Sequence, residues 1–179
     1  MRIDHIAYRV KDRHKTAKFF IEAMGYSLPE DLPDGFEIEF EDGSKAQCLV
    51  LEPPEKIKVQ ERFLTVPWVL NNYHVPPEIF ISDGSNGSIV KDWVEARNGV
   101  GGIHHIAYQV DSVENTMKEW RDKGYAEFTT DEPLTCPGLT QAFTKPSELT
   151  GIIYEFIERE AQGFCQANVK DLMVSTRGL

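Results

Sequence analysis

Cysteine, basic charge and long apolar runs are all scarce in this chain, and each scarcity narrows what it can be. The 179 residues contain three cysteines, Cys48, Cys136 and Cys165. No two of them form a C-x-x-C pair and their number is odd, so a disulfide framework is not expected and a reducing cytoplasm suits the chain. Against 29 Asp and Glu stand 19 Lys and Arg, a formal net charge of −10. That balance argues against nucleic acid, whose phosphates are bound chiefly by basic side chains. No run approaches the roughly 18–20 apolar residues that cross a bilayer. The opening M-R-I-D-H enters a strand pattern at once, without a basic-then-apolar leader. The expectation is a cytoplasmic protein with no membrane or nucleic-acid partner.

What the chain does have is a repeat. Residues 3–10 read I-D-H-I-A-Y-R-V and residues 103–110 read I-H-H-I-A-Y-Q-V, identical at six of eight positions at an offset of 100. Alternating strands built on one template expose equivalent faces, so His5 and His105 occupy equivalent places in two copies of one unit. The first copy continues with apolar residues at helical spacing over Lys11 to Gly25, then strand patterns at Phe36 to Glu41 and Ala46 to Glu52, ending at Pro53-Pro54. The second follows the same order. A capping box at Asp111 and Glu114 opens a helix carrying Val113, Met117 and Trp120. Gly124 ends it, and strands follow near 126–129, 140–144 and 151–158.

This reading predicts an α+β fold of two βαβββ modules, residues 1–54 and 103–160. An insert over 55–102 carries one helix, Ser88 to Ala96. A tail over 161–179 has a weak helical signal through Val169, Leu172 and Met173.

Paired histidines on equivalent strands are one way to build a metal site between modules. Glu155 is the matching acid. Alternation in G-I-I-Y-E-F-I-E-R puts it between Ile153 and Ile157 on one face, where an unpaired charge is costly. Pairing with a Lys or Arg is the ordinary alternative. Two histidines and one carboxylate with open positions suit non-haem Fe(II); Zn, Co, Ni, Mn and Mg remain alternatives. His104, one residue off, is expected on the opposite face in a structural role. His14 and His74 read as solvated.

The segments D-H-I-A-Y-R-V, G-G-I-H-H-I-A-Y-Q-V and Y-E-F-I-E-R also resemble the vicinal oxygen chelate superfamily. Its members pair two βαβββ modules into an open, cup-shaped mixed sheet around one metal. The later stretches L-T-Q-A-F-T-K-P, I-I-Y-E-F-I-E-R and G-F-C-Q-A-N are similar to the catalytic half of the 4-hydroxyphenylpyruvate dioxygenase family. The resemblance implies His5, His105 and Glu155 as metal ligands, Gln141 in the substrate cavity, and Phe164 and Asn168 at the start of a gating helix. It implies an Fe(II) dioxygenase acting on a small 2-oxo acid or similar bidentate substrate. The alternatives are an epimerase or lyase of the methylmalonyl-CoA epimerase or glyoxalase I type and a non-catalytic ligand-sequestering protein. A homodimer would also fit the family. Those epimerase and glyoxalase branches carry a fourth ligand, Glu or Gln, on the last strand of module one. Here Gln47 would supply it, or Leu49 would stand in its place and leave three ligands.

Overall fold

The computed structural model describes residues 1–53, 77–160 and 163–179. Eight strands form one mixed sheet: β1 (Arg2–Arg9), β2 (Phe36–Glu39), β3 (Lys45–Leu51), β4 (Glu78–Gly84), β5 (Gly102–Gln109), β6 (Leu134–Cys136), β7 (Leu139–Phe143) and β8 (Ile153–Arg159). Their order across the sheet is β2-β3-β4-β1-β5-β8-β7-β6. The two repeat strands β1 and β5 lie antiparallel at the centre. Each has a parallel neighbour on its outer side, β4 beside β1 and β8 beside β5. The α+β, two-module architecture expected from the repeat is what the sheet order shows.

Each module opens its helix in the same way. In α1 (Arg13–Met24), Asp12 accepts the Lys15 N–H, and Gly25 closes the helix in the left-handed region at φ 76°. In α3 (Val113–Asp122), Ser112 accepts the Asn115 N–H. The cap is therefore Ser112 and not Asp111. Ser112 is the residue that takes extended backbone immediately before the first turn, and it stands 100 residues after Asp12. Both helices cover the outer face of the sheet. Ala17 and Phe20 of α1 pack with Leu49, Leu51, Ile79 and Ile81. Val113 and Met117 of α3 pack with Ala142 and Phe156.

The inner face is closed by α2 (Ile89–Glu95) and α4 (Gln166–Ser175). Ser88, the first residue of the expected helix, caps α2 and accepts the Lys91 N–H. Ile89 and Val90 join Ala7, Phe36, Ile38, Val50 and Phe80 in one buried cluster with Val169 and Met173 of α4. Leu172 of α4 packs instead on Phe143 and Ile153. The tail helix thus lies across both modules and roofs the space between them.

Two strand assignments differ from expectation. Residues 126–129 contribute only an isolated bridge, Phe128 to Thr144. The strand is β6, which turns tightly into β7 through Pro137 and Gly138, the latter at φ 74°. The larger difference is β4, which pairs with both β1 and β3. The first module therefore ends near Gly84, not residue 54. Buried between two partners, Ile79, Phe80 and Ile81 form a continuous apolar run without the period-2 signature of a half-exposed strand. Residues 55–76 of the expected insert, including His74, lie outside the described residues.

Candidate metal centre

Alternation along β1 turns His5, Ala7 and Arg9 to the inner face, all of them buried. On β5 the equivalent residue is His105, and on β8 it is Glu155, opposite Ala107. Three atoms converge. His5 Nε2 lies 3.2 Å from His105 Nε2 and 3.2 Å from Glu155 Oε2, and His105 Nε2 lies 3.1 Å from the same oxygen. Three mutually cis donors, each roughly 2.1 Å from one ion, stand about 3 Å apart. The triangle therefore fits one face of a six-coordinate metal. Among the described residues this is the group of His, Cys, Asp and Glu side chains able to hold an ion.

Charge favours a cation at the centre. Burial opposes ionisation of Glu155, yet the charge of His5 and the hydrogen bonds of both imidazoles hold its carboxyl far below the usual range. Burial would also strip the proton from His5, but the Glu155 charge and the bond to Asp4 push its pKa up to about 9. For His105 burial prevails and its pKa falls. Two imidazole nitrogens 3.2 Å apart cannot both carry a proton towards each other. The trio attracts one positive charge, the demand a divalent ion meets when it displaces the proton.

Each ligand is held by a second group. His5 Nδ1 donates to Asp4 Oδ1 at 2.8 Å, and Arg159 grips Asp4 with two bonds, 3.1 and 2.8 Å. That pair ties β8 of the second module to β1 of the first. Gln141 Nε2 donates to Glu155 Oε1 at 2.6 Å, and Asn168 Nδ2 donates to Gln141 Oε1 at 3.2 Å. His105 Nδ1 lies 2.9 Å from His104 Nδ1. Phe143 packs against the His105 ring at 4.6 Å and Phe164 against the His5 ring at 5.0 Å. A small cavity opens beside the triad, walled by Phe80, Phe143, Phe164 and α4.

The sequence profile of the glyoxalase/bleomycin resistance protein/dioxygenase superfamily matches residues 4–135. The chain belongs to that superfamily. No curated protein sequence matches it significantly. Among solved structures, a methylmalonyl-CoA epimerase is similar over 90% of this chain and 97% of its own, at 21% identity and a TM-score of 0.62. The epimerase from Mycobacterium tuberculosis is similar over 89% of both chains, at 16% identity and a TM-score of 0.60. A triple variant of 4-hydroxymandelate synthase from Streptomyces coelicolor is similar over 98% of this chain but only 53% of its own, at 17% identity and a TM-score of 0.73. At these identities the likeness is one of fold.

Within this superfamily fold, the residues expected at the site sort into three groups. His5, His105 and Glu155 come together, with Glu155 bonded to histidines and glutamine rather than to a Lys or Arg. Gln141 and Asn168 lie behind Glu155 as a relay, while Phe164 lines the cavity. Gln47 and Leu49 do not reach the site. Both point to the outer face of β3, Leu49 into the α1 cluster and Gln47 onto Glu37. The last strand of the first module is β4, where Phe80 pairs with Ala7 as Glu155 pairs with Ala107. Phe80 therefore stands at the place of a fourth ligand.

His104 does not point away from the site as alternation would have it. The register between β1 and β5 slips twice, between Ile3 and Ile6 and between Ala7 and Tyr8, and each slip inserts one extra residue. Such bulges re-aim side chains. They bring Asp4 and His104 to the inner face beside His5 and His105. Asp4, Arg159 and Arg9 were missed in sequence. Arg9 and Arg159 carried the same readable signal, each the i+4 residue on its strand from His5 and Glu155. His14 is exposed, as expected.

Proposed function

We propose that the chain is a non-haem Fe(II) oxygenase in which His5, His105 and Glu155 hold the metal. The observation that carries this reading is Phe80. A phenyl ring at the mirror position of Glu155 cannot ligate, so the protein supplies three donors on one side and leaves the remaining positions free. Bound Fe(II) would polarise a chelating 2-oxo acid or similar bidentate substrate and supply one-electron chemistry to dioxygen.

The chain's own part is positioning and exclusion. Asp4, clamped by Arg159, fixes the His5 ring and sets its Nε2 toward the centre. Gln141 occupies one Glu155 oxygen and leaves the other to the metal. Phe80, Phe143 and Phe164 keep water from the substrate side, and α4 roofs the cavity.

The test is anaerobic loading with Fe(II), addition of a panel of 2-oxo acids and then measurement of oxygen uptake. Stoichiometric iron and uptake with at least one acid are expected. Absence of both a spectral change and uptake across the panel would overturn the reading. A second reading, a metal-dependent epimerase, is supported by the fold likeness to a methylmalonyl-CoA epimerase over 97% of that chain. It requires solvent deuterium to enter methylmalonyl-CoA, which the oxygenase reading does not.

A further inference from the structure

Arg9 is buried to 2% exposure on the same strand face as His5, and no acid among the described residues answers its charge. Nη2 donates to Thr176 Oγ1 at 3.0 Å, where α4 ends. Nη1 is buried with no hydrogen-bond partner. The charged group acting on it is the neighbouring guanidinium of Arg97, which repels it. Burial and Arg97 lower its pKa to about 9, which leaves it cationic at neutral pH. A buried, unpaired guanidinium is among the costlier features a fold can carry.

A second orphan lines the same cavity. His104 is 5% exposed and its Nε2 has no partner. When His105 ligates through Nε2, its Nδ1 carries the hydrogen and donates to His104 Nδ1. The remaining hydrogen of a neutral His104 is then on Nε2, which becomes a donor. Trp93 is common to both residues, 6.0 Å from the Arg9 guanidinium and 5.7 Å from the His104 ring. Arg9 and His104 both line the cavity that contains the metal triad. The wall thus holds two unsatisfied donors, one of them charged, and no carboxylate other than Glu155.

We propose that Arg9, with His104, forms a carboxylate-binding subsite for the far end of the substrate, so that the substrate carries a second carboxylate distal to its metal-chelating group. This rests on the metal-centre reading above. Arg9 and His5 are four residues apart on one strand, about 13 Å between Cα atoms, and both side chains enter the cavity. Phe80, Phe143 and Phe164 line the same cavity, an apolar lining that suits a dicarboxylic 2-oxo acid with an apolar middle. An Arg–carboxylate pair in a dry pocket forms charge-assisted, two-pronged hydrogen bonds that Lys reproduces poorly. Arg9 would thereby discriminate substrates without taking part in the oxidation.

The test compares acids that differ only in the distal group, 2-oxoadipate against 2-oxohexanoate, binding to Co(II)-loaded protein and read from the cobalt absorption spectrum. At least tenfold tighter binding of the dicarboxylate is expected in the wild type, with the ratio falling to near one in Arg9→Met and only partly restored in Arg9→Lys. Cobalt stoichiometry measured in the same samples shows whether each variant is folded and loaded. Equal affinity for the two acids in loaded wild type, or a preference that survives in loaded Arg9→Met, would overturn the subsite. Should no metal bind at all, the metal-centre reading fails, and adipate is then added to the metal-free protein. A thermal shift with adipate that hexanoate does not give, lost in Arg9→Met, still supports the subsite. No such shift overturns it.

Discussion

The two halves of this molecule start from one eight-residue phrase and differ in it at two letters, Asp4 against His104 and Arg9 against Gln109. Both letters lie where a difference has chemical effect. In the first half the histidine of the phrase leans on a charged acid that Arg159 holds from the other module. In the second it leans on a neutral imidazole. A third divergence sits on the parallel partner strands, where Phe80 faces Glu155 across the pseudo-symmetry. The repeat builds the scaffold twice, and its departures from symmetry make one side of the site a metal holder and the other a pocket wall.

The strongest way to break the comparison is to make the second half like the first. Glu155→Phe removes the carboxylate that the two histidine Nε2 atoms share. Metal affinity should fall by at least about 100-fold, and the stabilisation that added Co(II) gives the wild type should vanish. Calorimetric titration with metal and melting curves with and without it measure both. Retained one-to-one loading would remove Glu155 from the ligand set.

The reverse change, Phe80→Glu, copies the second half into the first. Without metal a new carboxyl in the inner core has no partner, and stability should drop by about 3 kcal/mol. With metal present the fourth donor should recover much of that loss and tighten Zn(II) or Co(II) binding. Any oxygen uptake of the wild type should decline, because one more position is filled by protein. Urea unfolding in the two conditions checks the sign. Equal destabilisation with and without metal would show that residue 80 does not face the ion.

How much of this was legible beforehand follows the same division. His5 and His105 could be found because the repeated phrase puts them in equivalent places, and Glu155 because it sits on an alternating strand, where one residue's placement fixes the next. The extents of α1 and α2 were readable for the similar reason that apolar residues at helical spacing are a local signal, whereas the cap read for α3, Asp111, falls one residue early. The fourth-ligand position was not. It lies on β4, a strand without alternation that joins the sheet only through its pairing with β1 and β3, and no local pattern encodes that pairing. His104 was misplaced because two bulges break the alternation, and a bulge depends on the partner strand's register rather than on residue type. Asp4 and Arg159 are 155 residues apart, beyond any sequence spacing rule.

A smaller effect separates the groups behind the ligands. Asp4→Asn keeps the shape but loses the charge that Arg159 and His5 share, and metal affinity should fall about 10- to 100-fold. His104→Gln loses a neutral partner and should cost less, within about tenfold. Gln141→Leu, which leaves Glu155 Oε1 without its 2.6 Å donor, should lie between them. Competition with a chromophoric chelator ranks the three. If His104→Gln proves the costliest, the acid on the first module is not the principal anchor.

The smallest effects should come where the halves are interchangeable. Asp12 and Ser112 occupy equivalent positions, and each accepts one N–H from the third residue of its helix. Replacing either by Ala should cost about 1 kcal/mol of stability. Exchanging them, Asp12→Ser with Ser112→Asp, should cost only a few tenths of that, because both residue types cap equally well and neither helix meets the cavity. Metal affinity should stay at the wild-type value in the exchanged protein, whereas exchanging Phe80 and Glu155 should move the acid to the other side of the triad and change metal binding outright. Chemical denaturation paired with metal titration reads both quantities on the same samples. A cap exchange that altered metal binding would mean that the outer helices, and not only the inner strand faces, set the geometry of the site.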